Sequence, residues 1–473
     1  MSAFFIYLSE CLCFGVENLK KIKRASIVGI VLVLVIEISY TGNIFEYPLT
    51  YVFAENRREQ DANTLTTNIR TIGVGTTDIQ TTGDETTDIQ TTGVEKTDIH
   101  TADDETTDIQ TTDSMPELPL YARSALLLDA SNNRVLYEEN GYQVMAMAST
   151  TKIMTCILAI ESGRLEEEVA VSKNAQKMPK VHLGMREGEK YKLEDLLYSL
   201  MLESHNDSAV AIAEHLGGSI EGFANMMNEK AKELGCNNTY FITPNGLDAK
   251  QNGKFHSTTA RDLAVIAAYA IQNDDFLKII GTRNYSFSEL SGKRSYQISN
   301  KNRFLDLMDG AIGVKTGFTC EAGYCFVGAL KKDGKTFISV VLGAGWPPNK
   351  NWKWSDTKQL MNFGVENYFP KNIYQKNNYS KMDVLNGVKE QVEVGAEQKE
   401  ISLLLSRYDK VEIKKELPKI LEAPVEKGTI IGYENYYVNH QLYTRIPIKI
   451  KESTEAYTWL YCIKKLIELF FVH

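Results

Sequence analysis

The chain has 473 residues, 43% of them hydrophobic, enough to bury more than one core, and two folded domains are expected. A net charge of −9 leaves no basic stripe to neutralise phosphates, which excludes nucleic acid as a main partner; the acidity reads as surface solvation. Seven cysteines, at positions 11, 13, 156, 236, 320, 325 and 462, are an odd number without Cys-x-x-Cys spacing, so no disulfide framework is expected.

Residues 20–24, Lys-Lys-Ile-Lys-Arg, precede an apolar run from Ala25 to Ser39. That is the layout of an export signal and is short for a membrane span, so residues 1–42 are expected to be a signal or N-terminal anchor. Ser39-Tyr-Thr-Gly42 offers small residues for cleavage, and the odd prelude before the basic segment fits a translation start near Val16. Residues 43–117 read as a linker. Within it, residues 76–113 repeat with period ten, beginning Thr-Thr-Asp-Ile-Gln-Thr-Thr-Gly-Asp-Glu. Such a segment has too little apolar surface to offset its ordering entropy, and as a flexible coil it spans roughly 40 Å.

A first folded domain is expected over residues 118–370. Ala125–Asp129 and Arg134–Tyr137, joined by Ser131-Asn-Asn133, read as a β-hairpin. Helical periodicity follows over Thr151–Glu161, Leu193–Leu202, Ser208–Leu216, Ile220–Leu234 and Thr259–Gln272, with an acidic helix end at Glu166–Glu168. Gly323–Leu330 and Thr336–Leu342 flank a turn and form a second hairpin. Strands at both ends with helices between them predict an antiparallel sheet closed by both termini and covered by helices. Residues 371–452 are β-rich and short-stranded, as in a small sandwich. In residues 453–473, Lys464, Lys465 and Glu468 share one face, while Trp459, Leu460, Ile463, Leu466, Ile467, Phe470 and Phe471 surround the other. That is an amphipathic helix suited to a bilayer interface.

Three short motifs lie in order: Ser149-Thr-Thr-Lys152, Ser204-His205-Asn206 and Lys315-Thr316-Gly317. Residues i and i+3 share a helical face, so the first pairs a hydroxyl with an amine. The pairing suits a serine nucleophile whose proton goes to a lysine. Ser149 is expected at a helix N-terminus, where unpaired N–H groups favour developing negative charge. Lys152 must be neutral to accept a proton, and burial beside the cation of Lys315 would lower its pKa. Ser204 can relay a proton, and Asn206 can hold Lys152 and a substrate amide. Lys315 and Thr316 suit a carboxylate, and Gly317 permits close backbone approach. His205 is expected to point away, and His256 to be structural. No His/Cys/Asp cluster has metal-ligand spacing, so neither metal nor cofactor is expected; Cys320 and Cys325 read as small apolar fillers rather than a redox pair.

This set of signals is known for β-lactamases and penicillin-binding proteins. From about Leu118 to Ile450 the chain resembles the low-molecular-mass penicillin-binding proteins, the D-alanyl-D-alanine carboxypeptidases of serine peptidase family S11. Pro179–Gly188, Tyr191–Leu197, Asp207–His215 and Thr243-Pro-Asn-Gly-Leu-Asp248 agree with it. The resemblance implies an α/β transpeptidase-like fold with a helical subdomain, plus a small C-terminal β-sandwich acting as a pedestal. It implies an acyl-enzyme on Ser149 and an oxyanion hole made by the N–H groups of Ser149 and Phe318. The implied substrate is the peptidoglycan stem pentapeptide, which loses its terminal D-alanine; penicillin would acylate the same serine. The implied location is the outer face of the cytoplasmic membrane, with the tail helix on the membrane surface. A class A β-lactamase would use a dedicated glutamate on a loop between the second and third motifs, and Glu166–Glu168 fall instead soon after the first. A transpeptidase or endopeptidase would differ only in its products, and an inactive wall-binding protein would not retain all three motifs.

Overall fold

The computed structural model describes residues 115–471 except residue 398; the expected export signal and ten-residue repeats lie outside the described residues. A five-stranded antiparallel sheet organises the first domain. Its strands are β1 (Ser124–Asp129), β2 (Arg134–Glu139), β3 (Ala311–Thr319), β4 (Gly323–Lys332) and β5 (Lys335–Leu342), in the order β2-β1-β5-β4-β3. The register Ser124↔Leu342 to Asp129↔Phe337 closes the sheet with strands from both ends of the domain. β3, which carries the third motif, is an edge strand.

Side chains alternate across a strand, and β1 is buried throughout, so it feeds two cores. Leu126 and Leu128 join one with the helices that carry the first two motifs; Ala125 and Leu127 join the other, under the C-terminal helix of the domain. At about 1.5–3 kcal/mol per buried aliphatic side chain, this interior strand anchors both layers.

The helix α1 (Lys152–Glu161) is buried from Lys152 to Ile160, the pattern of a helix enclosed on every side. Around it pack α2 (Leu193–Tyr198), α3 (Asn206–Gly217), α4 (Ile220–Glu233) and α5 (Ala260–Ala270), while α6 (Trp352–Asn367) covers the opposite face. The helix expected over Leu193–Leu202 stops at Tyr198 and widens into a π turn, Ser199–Glu203. The wide turn ends on Ser204 in the left-handed region at φ 68°, and the chain then restarts as α3 at Asn206. Glu166–Glu168 are not a helix end: α1 stops at Glu161, and Glu168 pairs with Lys192 in a two-stranded ribbon.

Strand Phe369–Asn372 leads out of the first domain and pairs with Ser402–Leu405. Beyond it, Val394–Ala396, Gln441–Ile450, Ile430–Val438 and Val411–Glu416 form a four-stranded sheet in that order. Met382–Leu385 carries Gln391–Val392 on one side and Leu421–Glu422 on the other. Two apolar clusters hold this domain, one around Leu403, Tyr436 and Ile446 and one around Val392, Leu421 and Ile448. The last helix, α7 (Trp459–Phe471), leaves Trp459 and Leu469 about 70% exposed, so its apolar residues do not pack on the β domain.

Candidate active site

The first motif spans a 3-10 turn, Ala148–Thr151, that runs directly into α1, so Ser149 lies just ahead of the helix rather than inside it. Thr150 and Thr151 fold their hydroxyls back to the carbonyls of Met147 and Ala148, at 2.6 and 2.8 Å, which fixes the turn. Ser149 stays partly open, whereas Lys152 is fully buried.

Lys152 Nζ donates to Ser149 Oγ at 2.9 Å, to Asn206 Oδ1 at 2.9 Å and to the carbonyl of Asn245 at 2.6 Å. Three acceptors match the three donors of an ammonium. Two of them, the amide oxygen and the peptide oxygen, can only accept. After loss of a proton, the remaining two N–H groups therefore stay on Asn206 and Asn245, and the lone pair faces the serine hydroxyl. Burial drives the Lys152 pKa well below its ordinary value, the cation of Lys315 lowers it further, and the carboxylate of Asp207 works in the opposite direction. Lys315 is itself buried, which pushes its pKa down to about 7, and its Nζ donates to the carbonyl of Thr316 at 3.1 Å.

On β3, Lys315 and Gly317 are buried toward the Ser149 turn. A Cβ on Gly317 would sit 3.0 Å from Ser149 N and 3.0 Å from Ala148 Cβ. The glycine thus serves the contact between the edge strand and the Ser149 turn, a reason the sequence did not show. The Phe318 ring lies tilted against Tyr324, with centroids 4.6 Å apart. Thr316 is half-buried beside Lys315.

The structure thus joins Ser149, Lys152 and Asn206 by hydrogen bonds and lays Gly317 against the Ser149 turn. Ser204 Oγ is not among the partners of Lys152. His205 turns into the π turn, its Nδ1 2.8 Å from Ser199 Oγ and its Nε2 3.5 Å from Glu203. His256 receives the N–H groups of Ile242 and Thr243 on Nδ1, so Nε2 carries the proton and points at Thr151 Oγ1, 2.7 Å away. It ties the loop bearing Asn245 to the turn bearing Ser149. Asn245 was missed as a site residue because it acts through its carbonyl; it entered the sequence reading only within the stretch Thr243-Pro-Asn-Gly-Leu-Asp248. Cys325 is buried and Cys320 exposed, and both are free thiols.

Residues 109–345 match the family model of D-alanyl-D-alanine carboxypeptidases, and residues 368–456 match that of the penicillin-binding protein 5 C-terminal domain. The chain is 31% identical over 358 residues to the D-alanyl-D-alanine carboxypeptidase DacF of Bacillus subtilis, covering 74% of this chain and 90% of that protein. The chain belongs to the D-alanyl-D-alanine carboxypeptidase family. It is a serine carboxypeptidase and a low-molecular-mass penicillin-binding protein of family S11. The DacC carboxypeptidase of Escherichia coli is 29% identical over 352 residues, covering 71% of this chain and 84% of that one. Among solved structures, the carboxypeptidase DacD of Francisella tularensis superposes with a TM-score of 0.59 at 25% identity, over 72% of this chain and 95% of that one. The carboxypeptidase accordingly has the penicillin-binding-protein fold with a β-rich C-terminal domain.

Proposed function

We propose that this carboxypeptidase removes the terminal D-alanine from peptidoglycan stem pentapeptides through an acyl-enzyme on Ser149, and that penicillin acylates the same oxygen. The observation that carries this reading is the cage around Lys152 Nζ, which leaves one direction for a lone pair, the serine hydroxyl 2.9 Å away. Ser149 Oγ attacks the carbonyl of the penultimate D-alanine while its proton passes to Lys152. The N–H groups of Ser149 and Phe318 receive the oxyanion. Collapse expels the amine of the terminal D-alanine, which takes its proton back from Lys152 with Ser204 as relay. Water then attacks the ester, Lys152 again serving as base, and frees the shortened peptide. Lys315 and Thr316 hold the terminal carboxylate, a charge-assisted contact in a largely dry cleft; Asn206 holds both Lys152 and the substrate amide.

The same reading takes the protein to the outer face of the cytoplasmic membrane. Its support is α7, where an exposed Trp459, Leu460, Ile463 and Ile467 accompany Lys464 and Lys465. The test is incubation with a pentapeptide ending in D-Ala-D-Ala and assay of free D-alanine. Stoichiometric release supports the reading; absence of release overturns it, and a crosslinked product would make the enzyme a transpeptidase instead.

A further inference from the structure

Asp207 follows the second motif and is 1% exposed, yet it touches neither Ser149 nor Lys152 by a hydrogen bond. Its carboxylate instead gathers backbone N–H groups. Oδ1 accepts from Leu183 at 2.9 Å and from Ser208 at 3.0 Å; Oδ2 accepts from Gly184 at 2.8 Å and from Met185 at 3.2 Å. Three of the four donors belong to one loop, residues 178–188. The neighbouring Asn206 grips the same loop twice, donating its backbone N–H to Val181 O at 2.8 Å and its Nδ2 to Pro179 O at 3.2 Å. Because Asn206 Nδ2 is committed to the loop, Asn206 Oδ1 has a single orientation, and that orientation faces Lys152 Nζ. A second asparagine repeats the arrangement: Asn245 sends Nδ2 to Met178 Sδ at 3.7 Å while its carbonyl holds Lys152.

We propose that Asp207 is a positioning residue that clasps the 178–188 loop so that Asn206, and through it the Lys152 amine, is held toward Ser149. The clasp has a built-in electrical consequence. A buried carboxylate facing the amine stabilises its protonated form, opposing the cation of Lys315. The other titratable groups that sense Lys152 are His205 and His256; burial lowers the pKa of each, so both stand neutral near pH 7 and add no charge. Asp207 therefore fixes where the base sits and, against burial and Lys315, shifts upward the pH at which it becomes free. The proposal rests on the acyl-enzyme reading above, whose own tests are D-alanine release and a penicillin adduct on Ser149, both made on the unaltered protein.

The experiment measures penicillin acylation rates against pH for the full chain and for Asp207→Asn, with limited proteolysis of the 178–188 loop. The carboxamide keeps the shape but loses the charge and two lone-pair sites. The plateau rate is expected to fall roughly 10- to 100-fold, the acid limb to move to lower pH by at least about half a unit, and the loop to become cleavable. Arg294→Gln is the comparison: it frees the loop from Arg294 Nη2, which donates to Gly184 O at 2.9 Å, and leaves the Asp207 charge in place. That variant should loosen the loop without moving the limb. Should Asp207→Asn fail to fold, Asp207→Ser, whose hydroxyl still accepts one N–H, is read by the same two measurements. An acid limb that stays put, or a loop as resistant as in the unaltered protein, overturns the proposal.

Discussion

Gly246 offers a direct way to test the proposed proton acceptor, Lys152, without altering its side chain or that of Ser149. It follows Asn245, whose carbonyl holds Lys152 Nζ at 2.6 Å, and its φ of +83° lies in the left-handed region. A Cβ there would stand 1.9 Å from Ala148 O, 2.4 Å from Ala148 C and 2.9 Å from Ser149 N. Reaching an ordinary C···O separation of about 3.3 Å requires the two segments to part by more than about 1 Å. One segment carries Ser149 and the other the carbonyl that holds Lys152. A displacement of that size costs on the order of 100-fold in rate, so Gly246→Ala should slow acylation by fluorescent penicillin by about that factor. Backbone strain alone must be separated from the collision. Gly253 supplies the control: its φ is +80°, in an Asn252-Gly253 hairpin turn, and nothing lies within 4 Å of its added Cβ. Both variants carry a backbone strain of about 1–2 kcal/mol, and the collision adds to the loss in a thermal melt for Gly246→Ala alone; Gly253→Ala should acylate normally. Equal acylation rates in the two variants would refute the reasoning.

Lys315→Gln removes the cation that depresses the Lys152 pKa, so the acid limb of penicillin acylation should move to higher pH; a limb that moves down or stays fixed contradicts the assigned electrostatics. His256 is buried with its pKa pushed down to about 3, below an unfolded value near 6.5. Its neutral form is favoured on folding, so this contribution is complete above about pH 6.5 and is lost as pH falls toward 3. The loss is about 2 kcal/mol between pH 7 and pH 5; urea unfolding should show it, and His256→Gln should remove that part of the slope. Truncation after Tyr457 deletes α7 and should abolish binding to vesicles containing anionic lipid while leaving penicillin acylation unchanged; retained vesicle binding would assign the attachment elsewhere.

The parts of the site that could be read from the sequence are those in which side-chain identity and local spacing carry the chemistry. Ser149 and Lys152 are three residues apart on a forming helix, so their pairing needs no knowledge of the fold. The hairpin Ala125–Asp129 with Arg134–Tyr137 was legible because its alternation and its Ser-Asn-Asn turn are local too. What escaped is carried by backbone or by distant packing. A carbonyl has no residue code, so Asn245 stood in the stretch Thr243-Pro-Asn-Gly-Leu-Asp248 without a role of its own. The π turn at Ser199–Glu203 continues the apolar periodicity of α2, and only the left-handed Ser204 ends it. The full edge strand Ala311–Thr319 escaped because its motif occupies the middle of nine residues with mixed burial. Gly317 looked like room for substrate, while the fold uses that room first for the Ser149 turn. Asp207 stood in the sequence only as the start of the stretch Asp207–His215; three amides of the 178–188 loop and that of Ser208 give it a task.

The most direct measurement on the central claim is intact-mass analysis after exposure to penicillin, with peptide mapping of the adduct and Ser149→Ala in parallel. One penicilloyl group on the peptide containing Ser149, absent from the variant, is the predicted result. An adduct that persists in Ser149→Ala, or maps to another residue, would contradict an alcohol activated by the buried amine of Lys152.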